Sequence, residues 1–288
     1  MSTYVFPGQG SQRKGMGRAL FDEFPDITER ADRILGYSVK KLCTENPNQL
    51  QNETQYTQPA VYVVNTLTYL KRTKETGQVP EYVAGHSLGE YNALLAAGVL
   101  DFETGLRLVR KRGAAMGRIE GGGMAAVTGL DREQVSQLLD RHELTDIEVA
   151  NDNAPTQVVV SGLKPAIAAA RDVFTSLPGD VGFTELRTSG AFHSRQMAPA
   201  RAEFAQYLAD TSPRFRAPTI PVIANVDAKA YDLARVETCL TEQITQPVRW
   251  VETIRHLLSV GQEEFVEVGT GRVLTSLIER IRDAAGSD

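Results

Sequence analysis

Gly85-His86-Ser87-Leu88-Gly89 sets a serine between two glycines, at the end of the β-type run that begins at Glu81. A small-residue helical pattern, Glu90-Tyr-Asn-Ala-Leu-Leu-Ala-Ala97, follows at once. A G-x-S-x-G element in a strand–turn–helix setting turns sharply and thrusts its serine hydroxyl out at the edge of a sheet. The helix start then aims N–H groups and a partial positive charge at any oxyanion formed there. Ser87 therefore reads as a nucleophile, and it needs a base. Four histidines are available. His86 adjoins the nucleophile, so its side chain should leave in another direction. His142 ends a polar helical pattern and His256 lies within another, the places of ordinary surface or helix-end histidines. His193 lies in the small-residue loop Ser189-Gly-Ala-Phe-His-Ser194, and it is the expected base and later general acid.

Two further residues could complete such a site. Gly8-Gln9-Gly10 follows a strand but lacks both the lysine of a P-loop and the spacing of a dinucleotide fingerprint, so no nucleotide site is expected. Its glycines allow close backbone approach, and the Gln9 N–H could join that of Leu88 in an oxyanion hole. A structural tight turn explains the same residues equally well. Arg112 sits among Leu108, Val109 and Met116 at helical spacing. It could snorkel past that apolar stripe, or present its planar fork to a carboxylate in a partly desolvated pocket.

Elements must hold these groups together, and strand and helix signals alternate through most of the chain, as in an α/β protein. Thr3–Phe6 reads as a strand, with helical stretches to about Thr44 and from about Pro59 to Thr73. Asp101 is a plausible N-cap for a helix over Phe102–Arg118. Gly121-Gly-Gly123 breaks the pattern, and a βαββαβ order follows: strands at Met124–Leu130, Asp146–Ala150, Gln157–Val160 and Val181–Thr188, helices at Asp131–His142 and Lys164–Thr175. That is the order of a ferredoxin-like unit. Residues 123–189 are thus expected to be a subdomain inserted into a catalytic domain of residues 1–122 and 190–288. Strands at Pro221–Asn225 and Glu264–Val268 and a helix at Val273–Ala284 complete the main domain.

Composition limits the function. Hydrophobic content of 42% and charged content of 23% over 288 residues fit a globular protein with a sizeable core. A net charge of −5 argues against a general nucleic-acid binder. No apolar run approaches a membrane span, no secretory signal opens the chain, and Cys43 and Cys239 lack metal-type spacing. A cytoplasmic protein with reduced thiols is expected, monomeric by default, with no metal site.

Pro7-Gly-Gln-Gly-Ser-Gln12, Gly85-His-Ser-Leu-Gly-Glu90, Arg112-Gly113, Ala191-Phe-His-Ser194, Asn225-Val-Asp227, Gln243 with Pro247-Val-Arg-Trp250, and Glu267-Val-Gly-Thr-Gly271 occur in that order. Together they resemble the malonyl-CoA:acyl carrier protein transacylase family, which includes acyltransferase domains of polyketide synthases. The resemblance runs from about Tyr4 to Ile281 and is strongest to free-standing, trans-acting acyltransferases. It implies an α/β-hydrolase-like large domain carrying the ferredoxin-like subdomain, with the site in the cleft between them. It implies a Ser87 malonyl ester, His193 as base, and an oxyanion hole from Gln9 and Leu88. Arg112 would hold the malonyl carboxylate, and a backbone carbonyl at Gln243, in place of an acid, would orient the histidine. Malonyl-CoA would be the donor and an acyl carrier protein the acceptor, in ping-pong order, with no metal or organic cofactor. Phe192, just before the histidine, is implied to select malonyl over methylmalonyl, because its ring crowds the α-carbon.

Two other readings share these residues. An acyl hydrolase clearing carrier proteins would use Ser87 and His193 but needs no Arg112. A docking module with a decayed site would not need to keep any of the three. An acidic carrier protein calls for a local basic patch, for which Arg13, Lys14, Arg187 and Arg195 are candidates.

Overall fold

A computed structural model describes residues 2–188 and 190–286. The chain opens with β1 (Ser2–Phe6), the short helices α1 (Arg18–Glu23), α2 (Pro25–Leu35) and α3 (Val39–Glu45), and the long α4 (Thr54–Thr76). Next come β2 (Tyr82–Gly85), α5 (Gly89–Ala96) and α6 (Phe102–Gly117). The middle of the chain runs β3 (Gly122–Thr128), α7 (Arg132–Arg141), β4 (Ile147–Ala154), β5 (Gln157–Leu163), α8 (Lys164–Thr175) and β6 (Gly182–Glu185). It ends with α9 (Ala198–Thr211), β7 (Val222–Ile223), α10 (Val236–Glu242), α11 (Trp250–Ser259), β8 (Glu264–Glu267) and α12 (Val273–Ala285).

The first sheet is parallel, in the order β7-β2-β1-β8. Tyr4–Phe6 of β1, Val83 and Ala84 of β2 and both residues of β7 are buried and apolar because both faces are covered there, whereas the edge strand β8 is only partly buried. Tyr4, Phe6, Val83 and Val222 pack with α4, α5 and α6, while Val5, Ala84 and Ile223 pack with α11 and α12. The carboxyl ends of β1 and β2 therefore come out side by side, with Phe6 in register with Gly85, and the loops carrying Gln9 and Ser87 leave from the same edge.

The second sheet is antiparallel, in the order β4-β5-β3-β6, which is the ferredoxin-like arrangement of a βαββαβ unit. Ala125, Val127, Val158 and Val160 face α7 and α8, and the alternate residues Met124 and Val159 face the main core. The fold is thus α/β, a parallel-sheet body with a small antiparallel sheet beside it.

The strands expected at Val181–Thr188 and Pro221–Asn225 are shorter, Gly182–Glu185 and Val222–Ile223, and three further elements near the site differ from the sequence reading. β3 starts inside the triple glycine at Gly122, because a Cβ there would collide with the backbone of Ala191, and only glycine lets the strand lie so close. α4 starts at Thr54, since the Glu53 carbonyl accepts from the Tyr56 and Thr57 N–H groups, and Pro59 is carried inside the helix. β4 continues to Ala154 through two irregularities that bring Asn151, Asp152 and Asn153 into the sheet. Asp101 and Asp131 cap α6 and α7, each accepting an N–H three residues on. Ser189, the expected last residue of the inserted unit and first of the histidine loop, lies outside the described residues.

Candidate active site

Ser87 has φ +51°, a left-handed backbone, between β2 and α5. The turn is possible because Gly85 and Gly89 touch where side chains would not fit: a Cβ on Gly85 would strike the Gly89 backbone, and one on Gly89 would strike the Phe6 carbonyl. Asn225, just after β7, holds the turn. Its Oδ1 accepts from Ser87 N at 2.7 Å, and its Nδ2 donates to the Gly85 carbonyl at 2.6 Å. Ser87 O and His86 O accept from the N–H groups of Glu90 and Gly89, at 3.1 and 3.0 Å. Within Ser87–Glu90 the Leu88 N–H therefore has no acceptor among the described residues. The Gly8 loop packs directly on this turn, where a Cβ on Gly8 would lie 3.5 Å from Leu88 N. Gln9 is thereby brought beside Leu88, and its Nε2 donates to Thr54 Oγ1 at 3.3 Å.

His193, also left-handed with φ +58°, is buried, and its Nε2 lies 2.7 Å from Ser87 Oγ. Its Nδ1 faces two backbone carbonyls, Gln243 at 2.8 Å and Gln246 at 3.2 Å. A nitrogen between two acceptors carries the proton, so Nε2 presents its lone pair to the serine hydroxyl. Burial, and then the charge of Arg112, hold the imidazole well below its ordinary value, at about 3. The other histidines stand apart from Ser87 Oγ. His86 turns to Asn153 Oδ1 at 2.7 Å and packs edge-on to Trp250, while His142 is exposed and His256 half-buried.

Arg112 is only 1% exposed, so it does not snorkel. Its Nη1 donates to Gln58 Oε1 at 2.9 Å, and its Nη2 to Gln243 Oε1 at 2.9 Å and Ser87 Oγ at 3.1 Å. Its Nε–H is buried without an acceptor among the described residues, and Tyr91 lies under the guanidinium. A buried, always-charged fork with an unused donor beside a nucleophile suits an anionic group. Phe192, 6% exposed, closes the same pocket with Met116, Met124 and Leu186; its volume of about 100 Å³ has room for a small acyl unit. A groove of about 210 Å³ adjoins it, past Gln9, Asn153 and Leu277.

Ser87, His193, Arg112, Gln9, Leu88, Gln243 and Phe192 are therefore brought together in one place. The basic candidates are more scattered. Arg13, Lys14 and Arg187 are exposed, whereas Arg195 pairs with Glu148 at 3.3 Å and Asp146 at 3.9 Å. Sequence reasoning gave no role to Gln58, Glu90, Asn225 or Tyr231, although Glu90 and Asn225 stand in motifs that carry the resemblance. Glu90 is 1% exposed, accepts from Tyr231 Oη at 2.7 Å and Asn225 N at 3.0 Å, and also bonds Gln243 Nε2. A helix starting at Pro59 left Gln58 outside any element, and a glutamate in a first helical turn reads as a solvated dipole partner. Nothing in the spacing marks either as buried.

A serine hydroxyl facing a histidine lone pair, a histidine held by carbonyls and a buried arginine form an arrangement that can move an anionic acyl group through a serine ester. The chain matches the acyl transferase domain model over residues 3–286 and belongs to that family. It is 56% identical over 285 residues to the polyketide biosynthesis protein PksE of Bacillus subtilis (strain 168), covering 99% of this chain and 37% of that protein. With the polyketide biosynthesis malonyl CoA-acyl carrier protein transacylase PksC of the same strain it shares 53% identity over 285 residues, covering 99% of this chain and 98% of PksC. A crystal structure of a malonyl CoA-acyl carrier protein transacylase from Burkholderia pseudomallei superposes with a TM-score of 0.94 at 50% identity, covering 98% of each chain. No described helix is long and apolar enough to cross a membrane.

Proposed function

We propose that this protein moves a malonyl group from malonyl-CoA to the phosphopantetheine thiol of an acyl carrier protein, in trans for a polyketide synthase. The observation that carries this reading is that one hydroxyl, Ser87 Oγ, lies within hydrogen-bond reach of both His193 Nε2 and the buried Arg112 Nη2. A nucleophile with a guanidinium at its side is built for an acyl group that ends in a carboxylate. An acyl hydrolase acting on neutral chains has no use for that charge.

In the first half-reaction His193 Nε2 takes the Ser87 proton as Oγ attacks the thioester carbon. The oxyanion collects N–H bonds from Leu88 and Gln9, collapses, and the C–S bond breaks. The coenzyme A sulfur leaves with the proton from His193. The second half-reaction runs the same path backward, with the carrier thiol giving its proton to His193 and attacking the ester. Side chains and backbone of this chain suffice for every step, so the reaction calls for no metal or bound organic cofactor.

Arg112 does more than bind. Its charge is the second cause of the low basicity of His193, after burial. A malonyl carboxylate on Arg112 offsets that charge, so the correct substrate makes the base stronger. Phe192, against the acyl pocket, leaves little room for an α-methyl branch. On this reading residues 1–122 and 190–288 are the catalytic body, and 123–189 the subdomain that walls the pocket from the other side. Buried, unpaired Cys43 and Cys239 suit a cytoplasmic protein.

The test is intact mass after incubation with malonyl-CoA or methylmalonyl-CoA, before and after adding a carrier protein. A malonyl adduct absent in Ser87→Ala, weakened in Arg112→Ala and passed to the carrier is expected. No adduct, with rapid release of neutral acyl groups from a loaded carrier, would overturn the transferase in favour of the hydrolase.

A further inference from the structure

Glu90 has no part in the steps above, yet it is a carboxylate buried in the catalytic body next to the site. Its bonds lead to the reacting groups through one side chain. Gln243 Nε2 donates to Glu90 Oε2 and, at 2.9 Å, to the Ser87 carbonyl. With its nitrogen so engaged, Gln243 must turn its oxygen to Arg112 Nη2, 2.9 Å away. A carboxamide can flip with little change of shape. Flipped, Gln243 would set NH₂ against the guanidinium and its oxygen against a carboxylate, and both contacts repel. An ionised carboxylate accepts only, so it forbids the flip.

We propose that Glu90 is a positioning residue for recognition of the anionic acyl group. It locks Gln243 with its oxygen on Arg112, and it supplies the buried negative charge that balances the guanidinium until a substrate carboxylate arrives. The proposal rests on the acyl-transfer reading and adds to it a determinant of substrate charge three hydrogen bonds away from the substrate. Gln243 is then the hub: its carbonyl orients His193, its amide oxygen orients Arg112, and its amide nitrogen is set by Glu90.

The groups facing Glu90 are Tyr91 on its own helix, Arg112 on α6, Tyr231 after β7 and Cys239 on α10, with His193 beyond Gln243. Burial lifts Glu90 to about 7, against the hydrogen bonds and the Arg112 charge that lower it. Burial also raises both tyrosines and lifts Cys239 to about 11, while His193 is held at about 3. Of this set, Glu90 is the one that changes charge near neutrality. Protonated, it no longer forbids an oxygen against it, the flip is opposed only by Arg112 and the Ser87 carbonyl, the lock weakens, and preference for a charged acyl group falls.

Initial rates of Ser87 acylation by malonyl-CoA and acetyl-CoA, measured on the full chain from about pH 5.5 to 8.5, test this. Wild type should lose malonyl-over-acetyl preference as the pH drops through about 7. Glu90→Gln should lower malonyl kcat/KM roughly tenfold or more, mainly through KM, leave acetyl within about threefold, and flatten the pH dependence of the ratio. Tyr231→Phe removes a donor to the carboxylate and should move the step to higher pH. A parallel fall of both substrates in Glu90→Gln, or a pH-independent ratio in wild type, would overturn the proposal. If Glu90→Gln does not fold, an unmoved step in Tyr231→Phe overturns it. Absence of any malonyl adduct on wild type would remove the acyl-transfer reading itself, and this inference with it.

Discussion

Arg112 meets two demands that conflict, being charged and buried, and its hydrogen bonds to Gln58, Gln243 and Ser87 reconcile them. A charge-assisted contact to a substrate carboxylate contributes about 1.5–3 kcal/mol. Arg112→Ala should therefore lower malonyl-CoA kcat/KM by about 10- to 150-fold while acetyl-CoA changes far less, as steady-state acylation rates will show. At Phe192 the effect is steric. Phe192→Ser should narrow the malonyl preference over methylmalonyl by about 1–3 kcal/mol, read from adduct ratios when the two thioesters compete. Ser87 and His193 were legible as residues because a turn motif and a loop marked them. From spacing alone Arg112 was legible only as a choice between two environments, and burial ruled out the snorkelling one.

The strand–turn–helix that presents Ser87 is a strained element kept in place from outside. Asn225 holds both arms of the turn, to Ser87 N and Gly85 O. Asn225→Ala leaves those groups without partners, at a cost of about 1–3 kcal/mol. A fall of several degrees in Tm is expected, with malonyl and acetyl acylation slowed together because the nucleophile itself moves. That parallel loss separates it from Arg112→Ala. The second supporting element is the start of β3. Gly122→Ala would push a methyl group into the Ala191 backbone and shift the loop that carries His193. It should cut kcat for both substrates and lower Tm, as paired kinetic and thermal melts will show.

At the scale of the whole molecule, two buried titrating groups make stability depend on pH in opposite senses. His193 is held at about 3 in the fold against an ordinary 6.5, so the folded protein resists protonation there. Its contribution is complete above about pH 6.5 and lost as the pH falls toward 3. Glu90 is raised to about 7 from 4.5, so its contribution is complete below about pH 4.5 and lost as the pH rises through 7. Thermal melts of His193→Ala should lose less Tm than wild type between about pH 6.5 and 4, because no buried imidazole must be charged. Glu90→Gln should flatten the loss on the neutral side, a second readout for that residue.

The sequence by itself determined the α/β alternation, the inserted βαββαβ unit and the serine at its turn, because these depend on local periodicity and on glycines within a few residues. Caps at Asp101 and Asp131 were legible for the same reason. The triple glycine was legible as a break, yet only the packing of Gly122 on Ala191 made its last two glycines the first residues of a strand. The tertiary structure alone decided which polar side chains are buried together. Glu90, Asn225, Tyr231 and Gln243 are separated by up to 153 residues, and no pattern of neighbours announces their contact. Buried polar groups must pair or be strongly destabilising, and the choice of partner belongs to the packing that removes them from water.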